Sequence, residues 1–243
     1  MAELISPKAN VHRIEDHVRR ALRAATARGG DVAETAQARL GPAVAAIDSA
    51  LGVLNPAVEA EAVAWAKVLA EDAKSDTGIK VMRDEMWNAL GRPRQSPFLD
   101  QVFPGGVTTY TAGDPTEQPA LMSVLRSRLL VATAPQWSKE QRESWAAEID
   151  ALRQTYQAAV EAHRPIEAAA TLAGISYRSA VRAGQARLRA FKRDLQNLGL
   201  SEAQIHEIIP GATPAAQATP PASPNGGVTP EPAPGPTPGT SGH

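Results

Sequence analysis

The chain has 243 residues, 46 of them alanine against ten aromatics, and a composition so poor in aromatic residues points away from β-sandwiches and barrels and toward helices. Its 25 Lys plus Arg nearly balance 26 Asp plus Glu, so no global field draws it to nucleic acid or to an anionic membrane. The absence of cysteine excludes disulfides, thiolate metal sites and a cysteine nucleophile.

Ser6 and Pro7 have the cap-then-proline pattern of a helix start, and Val11, Ile14, Val18, Ala21, Leu22 and Ala25 make one stripe that Gly29 and Gly30 end. Asp31 with Glu34 fits a capping box for a second helix, striped by Leu40, Val44, Ile47, Leu51 and Leu54 and kinked near Gly41 and Pro42. Asn55 and Pro56 repeat the start signal for a third helix, carrying Val58, Trp65, Leu69, Ile79, Met82 and Met86, with an interruption expected at 75–78. Residues 91–118 break all periodicity with Gly and Pro. They also carry Phe98, Phe103 and Tyr110, so this connection is expected to pack against the bundle, with a short extended piece at 107–111.

Three more helices are expected at 118–133, 138–163 and 165–198, the second opened by a Ser138 and Gln141 capping box, and 201–209 makes a final short helix. Residues 210–243 hold ten prolines and six glycines and cannot bury enough apolar surface to offset ordering; they are read as a disordered tail. The expected architecture is all-α: a mostly antiparallel bundle of about six helices over 1–209 with coiled-coil-like spacings, plus the tail. Met1 to Asn10 lack a signal-peptide pattern and no stretch reads as long enough to cross a bilayer, so a cytoplasmic protein with no membrane contact is expected.

Motifs for catalysis are scarce: there is no phosphate-binding glycine loop, dinucleotide fingerprint or nucleophile elbow, and no cofactor is expected. No Glu-x-x-His pairs face a core, and His12 and His17 lie about 140° apart on a helix, so no metal site is expected. Asp72 and Asp76, in core register, form a paired-carboxylate candidate; alternatively Ser75 or Asp76 caps a restarted helix while Asp72 faces water. His163 ends its stripe beside Arg164 and Pro165, where it would satisfy a helix C-terminus.

Charge is unevenly spread, +4 over 8–28, +4 over 165–198 and -3 over 56–90, a pattern that complementation between neighbouring helices would explain. On the last long segment Arg178, Arg182, Arg189, Lys192 and Arg193 fall within about 100° of one another, a candidate face for nucleic acid or another anion. Within it Ala170, Gly174, Ile175 and Ser176 resemble the helix-turn-helix DNA-binding motif over 166–183. That resemblance implies a turn at Gly174 and DNA contacts from Tyr177, Arg178, Ser179 and Arg182. The reading this sequence supports best is a non-catalytic helical scaffold with a protein partner or self-association. A DNA-binding regulator using 166–183 is the alternative, and an enzyme using 91–118, with polar groups converging around Asp72, Tyr110 and Asp114, is the third.

Overall fold

The structure, a computed structural model, describes residues 9–209. Six α-helices run in the order α1 (Val11–Arg28), α2 (Gly30–Ala89), α3 (Pro97–Val102), α4 (Gln118–Val131), α5 (Lys139–Asn197) and α6 (Glu202–Ile208), with a 3₁₀ turn at Val107–Tyr110. No strand occurs among the described residues, in agreement with the all-α expectation. The Ser6 and Pro7 start and the tail lie outside the described residues; α1 is capped instead by Asn10, whose side chain accepts from His12 N at 2.9 Å.

The main correction concerns length, because two pairs of expected helices are fused. α2 runs without a break through Pro42, Asn55, Pro56 and 75–78, and α5 runs through Pro165, so each spans about 90 Å at 1.5 Å per residue. An internal proline costs a helix roughly 3 kcal/mol. Here buried stripes flank the proline on both sides, with Tyr156, Val160 and His163 before Pro165 and Ala173, Tyr177 and Val181 after it, and packing holds the helix through. The Asp31 and Glu34 capping box is not made: Gly29 turns the chain with φ 78° and α2 starts at Gly30, leaving Asp31 as an acid in its first turn. The Ser138 and Gln141 box does form, as does one at Ser201 and Gln204.

α2 and α5 lie along each other for most of their length, and the other elements cover their two ends. At one end α1 and α6 pack on the first part of α2 and the last part of α5, around Val18, Leu40, Phe191 and Ile205 and, next to them, Ile14, Ile47 and Tyr177. At the other end α3, the 3₁₀ turn and α4 close a core that includes Met82, Val102, Tyr110, Leu125 and Tyr156. The connection is packed as expected, although 107–110 is a 3₁₀ turn and not an extended piece. Tyr110 is fully buried and donates to the Val102 carbonyl at 3.1 Å, while Phe103 meets its ring edge-on at 5.9 Å.

Between these two lobes, the α1 lobe ends at Leu54 and Tyr177 and the α4 lobe begins at Trp65 and Val160. The intervening waist, roughly 55–64 of α2 and 161–176 of α5, is a bare pair of helices among the described residues. α2 contains a window long and apolar enough to cross a membrane by length and composition, which corrects the expectation that no stretch is. Only 11 % of that window is buried. Asp48 on α2 is bound by Arg19 at 2.6 Å, and the adjoining α5 exposes Glu161, Arg164 and Glu167, so the apolar surface is interrupted by charge.

Candidate functional site

The five basic residues singled out on α5 do share a helix, but they are not equivalent. Lys192 is only 14 % exposed and pairs with Glu202 of α6 at 3.5 Å, which makes it a tie between α5 and α6. Arg178, Arg182, Arg189 and Arg193 are exposed and have no ion-pair partner among the described residues. Spaced by four, seven and four residues, they occupy one side of α5 over about 22 Å.

The helix-turn-helix geometry is absent, since α5 continues through Gly174 with no turn between two helices. Nor does packing require the glycine: a Cβ at Gly174 would stand 4.0 Å from Leu54 on α2 and 3.5 Å from the Arg178 guanidinium, ordinary van der Waals contacts. Tyr177, expected to face DNA, is buried against α1 and donates to Glu15 at 2.6 Å. Burial and that carboxylate push its hydroxyl pKa up to about 12. Ser179 is exposed beside the arginines.

Asp72 and Asp76 neither cap a restarted helix nor lie wholly in water. Asp72 accepts from the buried Tyr156 hydroxyl at 2.7 Å, and burial followed by this bond drives the tyrosine pKa far up. Asp76 is raised above the ordinary aspartate value, first by burial, against the opposing attraction of Lys80 at 3.5 Å and with further repulsion from Asp72. Asp76 Oδ1, the Ser75 hydroxyl and the Gln118 amide nitrogen are buried without a hydrogen-bond partner. Asp114, by contrast, is exposed and accepts from the Thr116 amide and hydroxyl, both at 2.8 Å. Asp72, Tyr110 and Asp114 thus hydrogen-bond to different partners, Tyr156, the Val102 carbonyl and Thr116, while Asp72, Asp76 and Asp114 all act electrostatically on the Tyr156 hydroxyl.

His163 does not satisfy a helix end, because α5 continues past it. It is buried in the waist, its Nε2 3.2 Å from Glu61 Oε1 and its ring 5.1 Å from that of Trp65. A carboxylate can only accept, so Nε2 donates to Glu61, while Nδ1 is buried without a hydrogen-bond partner, 3.8 Å from Glu167. Glu61 and Glu167 line a groove of about 820 Å³ where the start of α1, Ala9 to His12, meets the waist beside Leu54, Val58, Ala170 and Gly174. Among the described residues no group of three or more histidine or acidic side chains is placed to hold a metal.

Apolar residues are exposed at the waist, Val63 at 60 % on α2 and Leu172 at 63 % and Ile175 at 50 % on α5, with Val53 at 60 % just before the waist; of these only Ile175 stands out in the sequence, in the helix-turn-helix resemblance. Their signal was present as large apolar residues off the main stripe. The expected complementation of the basic helices by 56–90 is also corrected. α1 and the end of α5 pack against each other, and 56–90 lies mainly at the opposite lobe. Residues 9–54 with 171–209 carry 12 Lys plus Arg and 8 Asp plus Glu, net +4, whereas 55–170 carry 12 and 16, net -4. The molecule is a rod with a basic α1 end and an acidic remainder. Comparison of the chain with known protein families, curated proteins and solved structures finds no match to any of them.

Proposed function

We propose that the protein is a non-catalytic helical scaffold whose bare two-helix waist is a docking surface for protein. The observation that carries this reading is the exposure of Val63, Leu172 and Ile175 where α2 and α5 run without a third helix among the described residues. Burying a large apolar side chain contributes about 1.5 to 3 kcal/mol, so several such residues on one short stretch favour a protein partner. A photoreactive residue placed at Val63 or Leu172 in cells should give a defined protein adduct, and one at Asp84, an exposed position on α2 outside the waist, should not. Equal labelling at all three positions, or none, would refute the proposal.

A second reading, loose polyanion binding, is favoured by Arg178, Arg182, Arg189 and Arg193, which are exposed along one side of α5 with no ion-pair partner among the described residues. A straight helix with arginines along one side offers phosphate contacts without base readout. Duplex binding should then be independent of sequence and fall steeply with salt, with a log-log slope of about -0.9 per phosphate neutralised. Selection of a defined site from random duplexes would overturn this reading in favour of specific recognition.

A further inference from the structure

The outer side of α5 has a pattern of its own. From Ala147 to Arg193, residues taken at alternating steps of four and three are exposed without exception. That spacing is the seam of a two-stranded coiled coil, here facing away from α2. Its middle runs Ala158, Glu161, Pro165, Ala168, Leu172 and Ile175, small or apolar but for Glu161. Toward the C-terminus it carries Arg182, Arg189 and Arg193, and toward the N-terminus it carries Glu161 and, near its start, Glu140 and Glu143.

We infer that this seam binds a second copy of the chain in antiparallel orientation, with the twofold axis between Ala168 and Leu172. The inference rests on the waist being a docking surface and names its occupant. Two observations select a second copy, and both concern charge. First, along the seam Arg182, Arg189 and Arg193 lie on one side of the proposed axis and Glu161, Glu143 and Glu140 on the other, so rotation by 180° lays the basic half of one seam along the acidic half of the other; the exposed Arg164 beside the seam is the exception. Second, the whole rod is divided in the same sense, +4 at the α1 end and -4 over the remainder, so antiparallel pairing sets unlike ends together and parallel pairing sets like ends together. In this register Leu172 faces Ala168 of the other copy, Glu161 lies within a turn of its Arg178 and Arg182, and Arg193 faces Ala147. The alanines allow the close helix approach that the exposed Leu172 and Ile175 need for burial. A twofold contact of this kind is self-complementary and closes at two copies.

The absence of cysteine makes the test direct. Sedimentation equilibrium across a micromolar to millimolar dilution series should show a monomer–dimer equilibrium that weakens with salt. Leu172→Glu should raise the dissociation constant at least about tenfold, with helicity unchanged because Leu172 is already exposed. A chain that stays monomeric throughout the series overturns the inference, and if Leu172 still labels a different protein in cells the docking surface survives without it. Orientation is read by single-cysteine variants. Leu172→Cys should form a disulfide-linked dimer. Arg193→Cys should not link to itself, because two copies of that residue would stand about 70 Å apart along the rod, but should link to Ala147→Cys. Self-linking of Arg193→Cys, or its failure to join Ala147→Cys, overturns the antiparallel arrangement.

Discussion

Asp76 keeps only a fifth of its side chain exposed, and one carboxylate oxygen is buried with no donor. Burial raises its pKa above 3.8, so the folded protein holds this proton more tightly than the unfolded chain. The stabilisation linked to that proton is present below about pH 4 and is lost as the pH rises through the raised folded value. Above it the ionised group weakens the fold, with Lys80 offsetting part of the cost. Asp76→Asn should therefore raise the melting temperature at pH 7 by about 2 to 4 °C, the equivalent of about 1 kcal/mol in a chain of this size, and change it little at pH 3. An equal gain at both pH values would show that the charge is not the cause. Tyr156→Phe should act in the opposite sense, leaving Asp72 without its donor at a cost of roughly 1 to 3 kcal/mol. Only half of this site was legible in the sequence. The register of Asp72 and Asp76 marked them as facing inward, but their neighbour Tyr156 lies 84 residues away, and only the antiparallel pairing of α2 with α5 brings it there. His163 follows the same rule: its partner Glu61 is 102 residues distant, so its local setting beside Pro165 suggested a helix end that does not exist.

Caps were legible in part, since the Ser138 and Gln141 box forms while the Asp31 and Glu34 box does not and Asn10 caps α1; continuity through proline was not legible. Ser138 and Ser201 cap α5 and α6 as their spacing with Gln141 and Gln204 indicates, and the Ser96 and Pro97 pair that opens the short α3 has the same signature. Asn55 with Pro56 has it too, yet lies inside α2. The difference is tertiary: the buried Ile47 and Ala64 flank Pro56 on one continuous side, and α5 runs alongside. A proline held in a helix by packing still lacks its N–H and crowds the carbonyl four residues back. Replacing Pro165 by Ala should thus stabilise the protein by about 1 to 3 kcal/mol, read as a higher midpoint in urea with an unchanged slope. A lower midpoint would mean that the proline fixes a bend that the waist requires. Glycine at a crossing is the converse case. A Cβ at Gly184 would come within 3.3 Å of Ile47 and 3.6 Å of Val18, where α1, α2 and α5 meet. Gly184→Leu should loosen α1 and lower stability by about 1 to 3 kcal/mol through overpacking, whereas the same change at Gly52, where a Cβ meets nothing within 4 Å, should not.

At the scale of the whole rod, two lobes with separate cores are coupled, among the described residues, through the waist alone. Each lobe buries its own set of large side chains, Phe191, Leu40 and Ile14 in one and Tyr110, Met86 and Leu125 in the other. The waist buries few: Ala64 and His163 are covered, while Val58, Val63, Leu172 and Ile175 remain about half exposed or more. It also holds a proline in each helix, Pro56 and Pro165, so two backbone hydrogen bonds are missing where tertiary support is thinnest. Local opening free energy follows buried contact, and amide exchange should therefore be slowest in the two cores and fastest, among helical residues remote from helix ends, at 55–64 and 161–172. Pairing through α5 adds cover to the second of these stretches and not to the first. Raising the protein concentration should slow exchange at 161–172 more than at 55–64, and Leu172→Glu should abolish that dependence while leaving exchange in both lobes unchanged. Uniform exchange along α2 and α5 would mean that the long helices unfold as one cooperative unit and that the waist is no weaker than the lobes. Slow exchange at the waist of a dilute, monomeric sample would place a third layer over it that the described residues do not supply.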